Sequence, residues 1–182
     1  MRRISIVQGE NAVVSEPHVM ISTLLGSCVA VCLYDPAAKV GGMNHFLLGE
    51  PGSDHRVAAS EMSRYGVHAM ELLINGMMKK GAQRSRLQAH LYGGANIVAG
   101  LGSIGSSNAE FARRFMQDEG IAIGHCDLGG RAARKVEFLP HDGRSRCTHV
   151  EDRAAAERVE RVEHKPAPKP AAPPADGELE LF

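Results

Sequence analysis

The chain has 182 residues, enough for one domain with its own core and too few for two of ordinary size. Its 21 Lys and Arg balance 21 Asp and Glu, so no broad field favours nucleic acid or an anionic membrane, and with aromatics at 4% and no Trp there are few platforms for stacked bases. The opening MRRISIVQGENAVV lacks an apolar block of signal-peptide length and no apolar run reaches membrane-spanning length, which reads as a cytoplasmic protein without membrane insertion whose four cysteines are not a disulfide framework.

HVMISTLL (18–25) and CVAVCLYD (28–35) are strand-like runs separated by a tight bend at Gly26 and Ser27. Asp35 and Pro36 start a turn, and KVGGMNHFLL (39–48) reads as the strand returning in a hairpin with 28–35. Residues 60–80 place Tyr65, Ala69, Leu72, Leu73, Gly76 and Met77 at helical spacing, with Lys79, Lys80 and Gly81 closing the helix. RLQAHLYGGA (86–95) reads as a strand entering a glycine turn. SNAEFARRFMQDEG then predicts a helix, with Ser107 and Glu110 in capping-box spacing and Phe111 and Phe115 on one face. IAIGHCDL (121–128), Gly129–Gly130 and ARKVEFLP (133–140) read as strand, turn, strand.

Composition changes abruptly near residue 150. EDRAAAERVERVEH (151–164) is charged and helix-compatible, with only Val159 and Val162 as an apolar stripe, and KPAPKPAAPPADG (165–177) holds five prolines, which suit an extended linker. The expected organisation is a single layered α+β domain over 1–150, because strands and helices interleave without a βαβ rhythm, and a disordered tail over 151–182 ending in ELELF.

Two residues stand out chemically. Cys28 follows Gly26 and Ser27 where a bend enters an apolar strand, a place where backbone N–H groups can lower a thiol pKa and hold an oxyanion; the competing reading is a small buried hydrophobe. His45 lies on the return strand of the hairpin, where cross-strand placement can bring an imidazole to the thiol; it reads equally as a core or edge histidine. Zinc is disfavoured, since Cys28/Cys32, His125/Cys126 and Cys147/His149 form no paired knuckle, and neither GGAN (93–96) nor DLGGRAARKVEF (127–138) has the form of a nucleotide cradle.

STLLGSCVAVCLYDPAAKVGGMNHFLL resembles the active-site signature of the chemoreceptor glutamine deamidase family, CheD, and RYGVHAMELLINGMMKKGA, LYGGAN, SIGSSN and GGRAARKVEF extend the resemblance over roughly residues 4–139. The resemblance implies layered β-sheets with outer helices, similar to the catalytic part of cytotoxic necrotizing factor toxins, and deamidation of glutamines on methyl-accepting chemoreceptors without metal or cofactor. It places the nucleophile on Cys28, the acid-base group on His45 and oxyanion support on Gly26 and Ser27. The family's hydroxyl, six residues before the cysteine, falls on Ser22 where threonine is usual, and the adjacent Thr23 is the alternative should the strand pair one residue out of step. Arg131 and Ala132 depart from the family's usual AsnArg, while Arg134 matches. Partners implied are the receptors and a CheC-type phosphatase. Rival readings are a receptor methylesterase using the same thiol and a binding adaptor with little turnover.

Overall fold

A computed structural model describes residues 1–48, 59–97, 103–151 and 153–163. Nine strands are described: β1 (Arg2–Ser5), β2 (Asn11–Val14), β3 (Val19–Leu25), β4 (Val29–Asp35), β5 (Val40–Phe46), β6 (Gln88–Gly93), β7 (Ala122–Leu128), β8 (Ala133–Leu139) and β9 (Arg144–Val150). They form a four-stranded sheet in the order β1-β3-β8-β9 and a five-stranded sheet in the order β2-β5-β4-β6-β7. Helices α1 (Ala59–Lys79) and α2 (Ile104–Asp118) join the core of the five-stranded sheet, and α3 (Arg153–Glu163) follows β9. The α+β expectation holds, with helices α1 and α2 outside.

Strand alternation sorts the side chains into two interiors. In β4, Val29, Val31 and Leu33 join Phe46, Met70, Leu73, Ile74, Met77, Phe115 and Met116 in the layer between the five-stranded sheet and the helices. Their neighbours Cys28, Ala30 and Cys32 point the other way and pack with Ile21, Leu25, Met43, Val136 and Phe138 between the sheets. A strand covered on both faces carries a continuous apolar run, which is why 28–35 shows no polar alternation.

The β4–β5 hairpin forms as expected, in the register Val29↔Phe46, Ala30↔His45 and Asp35↔Val40. The bend after β3 is sharper in consequence than a simple turn: β3 belongs to one sheet and β4 to the other, so residues 26–28 cross between them.

The strand, turn and strand expected over 121–140 are present as β7, Gly129–Gly130 and β8, but the two strands do not pair with each other: β7 pairs in parallel with β6, and the chain crosses at Gly129 and Gly130, both at positive φ, so that β8 pairs with β3. Helix α2 starts at Ile104 with Ser103 as N-cap, so Ser107 sits inside its first turn rather than capping it. The buried stripe of α1 is Met70, Leu73, Ile74 and Met77, whereas Tyr65 and Leu72 are exposed. Residues 153–163 are helical, with Ala156 buried and α3 lying against β3 and β9; the proline segment and ELELF lie outside the described residues.

The hairpin turn is tied down by Asp35. Its carboxylate accepts from the backbone N–H of Ala37 and Ala38 at 2.9 and 3.1 Å, from that of Gln83 at 2.9 Å, and from Arg86 Nε at 3.0 Å. Burial pushes this carboxyl up, but Arg86 and the three backbone N–H groups outweigh it and hold it far below its ordinary 3.8. Because the folded carboxyl is the stronger acid, its contribution to stability is complete above the unfolded value near 4 and is lost as pH falls through the folded one. Asp35→Asn should therefore cost about 3 kcal/mol at neutral pH, roughly 10 °C in thermal midpoint. The difference between variant and native protein should shrink in acid, which thermal unfolding at pH 7 and pH 2 to 3 checks. A deficit independent of pH would contradict the linkage.

Candidate functional site

The crossing from β3 to β4 is held by three carbonyls, all taken by neighbouring elements. Gly94 N–H donates to Cys28 O at 2.8 Å, Ala95 N–H to Gly26 O at 3.1 Å, and Asn108 Nδ2 to Ser27 O at 2.8 Å. The LYGGAN glycines make this approach possible. A Cβ on Gly93 would come within 2.2 Å of Cys28 O, and one on Gly94 within 2.7 Å of Gly105 O. Both glycines also sit at positive φ, 110° and 65°, where side chains are strained. The next residues tie this cradle to the β7–β8 crossing: Asn96 N–H bonds Gly130 O and Gly129 N–H bonds Gly93 O. Arg134 braces that crossing from within, donating to Gly129 O at 2.7 Å and to Asp127 Oδ1 at 2.8 Å. The hydrogen bond from Arg134, against burial and with help from His149, holds the Asp127 carboxyl at about 2.

His45 is fixed on β5 by two backbone bonds, accepting from Gly9 N–H at 2.8 Å and donating to Glu10 O at 3.0 Å. Its side chain follows the parity of Met43 and Leu47 and faces the four-stranded sheet, where Thr23 Oγ1 lies 2.8 Å from His45 Nδ1. Thr23 Oγ1 also lies 2.7 Å from Ile6 O, an atom that can only accept. The one hydroxyl proton therefore goes to Ile6 and Thr23 accepts from Nδ1–H, which in the uncharged form of the imidazole leaves the lone pair on Nε2. Ala30 stands opposite His45, and Cys28 and Cys32 lie two residues to either side of Ala30 on the same face, so both thiols are diagonal to the imidazole and Cys28 is the one that adjoins the Gly26–Ser27 crossing.

The structure thus gathers Cys28, His45, Gly26 and Ser27 at one crossing but puts Thr23, not Ser22, on the imidazole. Thr23 shares the inward parity of Ile21 and Leu25. Ser22 has the opposite parity and pairs with Ser5 and with Glu137, the carboxylate that binds Arg146 and Lys135. A second correction concerns exposure: Cys28 is 0% and His45 3% exposed, so the thiol is covered rather than open at a bend.

The other thiols have different surroundings. Cys32 is fully buried, and burial, with Cys147 adding, pushes its thiol far above the ordinary range. Cys147 is pushed up to about 12 by burial and the nearby Asp127 carboxylate. His90 is a bridging histidine: His125 N–H donates to its Nδ1 at 2.9 Å and its Nε2 lies 3.0 Å from Gly143 O. Among the described residues no group of three or more His, Cys, Asp or Glu is placed to hold a metal ion, and no helix is long and apolar enough to cross a membrane.

Sequence reasoning missed Asn108, whose buried side chain bridges the bend before Cys28 and Leu48 after β5. A polar residue on the buried face of a helix was the available signal.

Residues 47–149 match the family model CheD, described as CheD chemotactic sensory transduction. A protein of Zymomonas mobilis named "Probable chemoreceptor glutamine deamidase CheD" is 58% identical over 165 residues, covering 90% of this chain and 89% of its own. A protein of the same name from Sinorhizobium medicae is 48% identical over 185 residues, covering 100% of this chain and 96% of its own. Among solved structures, Bacillus licheniformis hypothetical protein YfiH aligns with 64% of this chain and 49% of that chain at 14% identity and a TM-score of 0.39.

Proposed function

The chain belongs to the CheD family, and we propose that, as a chemoreceptor glutamine deamidase like the relatives so named, it works through a Cys28 thioester. The observation that carries this reading is the Thr23–His45 bond of 2.8 Å, which commits the imidazole's lone pair to Nε2 beside the Cys28 strand. His45 takes the thiol proton, and the Cys28 sulfur attacks the side-chain amide carbon of a receptor glutamine. Peptide bonds here are trans, so the N–H of Ser27 and of Cys28 point opposite to the carbonyls of Gly26 and Ser27, which the cradle holds outward. These two N–H groups receive the negative oxygen of the tetrahedral intermediate. His45 returns the proton to the leaving nitrogen, ammonia departs and a thioester remains. Water, deprotonated by His45, then cleaves the thioester to glutamate and restores the thiol. Every step uses protein groups and water, so the reading requires no cofactor. The product places a new negative charge on a receptor helix, where it alters packing and can accept a methyl group.

Within this reading the enzyme acts in the cytoplasm on the helical region of the receptors, with a CheC-type phosphatase as a second partner. An adaptor lacking turnover would have no use for the fixed imidazole tautomer, and a methylesterase would use the same atoms on an ester. Mass spectrometry of a receptor cytoplasmic fragment incubated with the protein tests all three. Conversion of unmodified glutamine to glutamate with release of ammonia is the expected result. Binding without conversion, or release of methanol alone from methylated fragment, would refute it.

A further inference from the structure

The structure assigns Asn108 as the positioning residue that holds the oxyanion-binding bend and the His45 strand in register, an inference that rests on Cys28 being the nucleophile. Asn108 is on α2, 0% exposed, and both ends of its amide are used. Nδ2 donates to Ser27 O at 2.8 Å and Oδ1 accepts from Leu48 N–H at 3.0 Å. One planar group thus spans the residue before Cys28 and the third residue after His45. The Ser27 carbonyl belongs to the same peptide as the Cys28 N–H. Pulling that oxygen toward α2 directs the N–H to the opposite side, away from the helix layer and toward the inter-sheet side where the Cys28 side chain packs.

The seat of Asn108 is itself rigid. A Cβ on Gly105 would approach Ala95 O to 2.2 Å, so α2 meets the 94–95 segment backbone to backbone. That segment binds the two carbonyls flanking Ser27, those of Gly26 and Cys28. Among the described residues, the Ser27 carbonyl is the one in the bend that a side chain binds, and so the one whose bond a substitution removes.

The test separates positioning from packing by using two reactions of the same thiol. Glutamine deamidation forms a tetrahedral oxyanion and depends on the direction of the Cys28 N–H; displacement of iodide from iodoacetamide forms none. Rates are taken per folded molecule, with the folded fraction from circular dichroism in the cold. Asn108→Ala should lower kcat for receptor-fragment deamidation about 10²-fold with KM and the iodoacetamide rate within about threefold of native. Asn108→Asp replaces the donor with a carboxylate that repels Ser27 O, yet when protonated it can donate to that oxygen. Its kcat relative to the native enzyme should therefore recover as pH falls through the introduced carboxyl's pKa, which burial raises. A kcat close to native, or deamidation and alkylation falling together, would overturn the assignment. Failure of both variants to fold would overturn it too, by making Asn108 a stability residue. Cys28→Ala is the control: activity surviving there would refute the thioester reading itself, whatever Asn108 does.

Discussion

Cys28→Ala should abolish receptor deamidation while the protein stays folded, and Cys32→Ala should leave deamidation largely intact. Both thiols are buried on the same face of β4 and lose similar packing on truncation, about 1 kcal/mol each, or roughly 2 to 4 °C in thermal midpoint. Stability therefore does not distinguish them and chemistry does. Both lie diagonal to His45, but Cys28 adjoins the Gly26–Ser27 crossing, whose backbone N–H groups can receive an oxyanion, whereas Cys32 stands within β4 opposite Met43. Equal loss of activity from the two substitutions, with folding preserved, would contradict a single nucleophile at Cys28.

The second large effect concerns the imidazole and its partner. His45→Ala should slow turnover by about 10²- to 10⁴-fold, with receptor binding retained. Thr23→Ala should cost about 10²-fold, because the ring loses the acceptor that fixes its tautomer and orientation. Thr23→Ser should recover most of the rate, since the hydroxyl can still bridge Ile6 O and His45 Nδ1. Ser22→Ala should change kcat little, its side chain having the opposite parity. Steady-state ammonia release from the four variants gives the order; Ser22→Ala falling below Thr23→Ala would reverse the assignment of the hydroxyl.

That pair of residues shows where sequence reading stops. The run HVMISTLL is apolar at both parities, since Met20 and Leu24 alternate with Val19, Ile21 and Leu25, so hydrophobic pattern alone does not say which face is inward. Only pairing with β1 and β8 resolves it, leaving Leu24 at 48% exposure and Leu25 at 0%. The β4–β5 hairpin was legible because its signal is local: two apolar runs joined by Asp35 and Pro36. The sheet to which a strand belongs is not local. Gly129 and Gly130 look like hairpin glycines, but their positive φ values carry the chain from one sheet to the other.

Strands β1, β2 and β9 left no clear trace. β1 and β2 have four residues each, and β9, RSRCTHV, carries arginines on its exposed face. Cys28 and His45 could be picked out by residue type and hairpin placement, whereas their burial could not, because it depends on the second sheet. Asn108 is far in sequence from both residues that it joins, and nothing in SIGSSNAEF marks it as their bridge.

The central claim is the covalent bond between Cys28 and the receptor glutamine, and hydroxylamine partition tests it most directly. A thioester is open to attack by hydroxylamine in competition with water, so incubating the native enzyme with receptor fragment and hydroxylamine should convert part of each target glutamine to glutamyl hydroxamate. The hydroxamate should appear at the same sites that become glutamate, its share should rise with hydroxylamine concentration, and neither product should form with Cys28→Ala. Glutamate formed at the native rate with no hydroxamate at any concentration, or either product from the Cys28→Ala enzyme, would contradict the account.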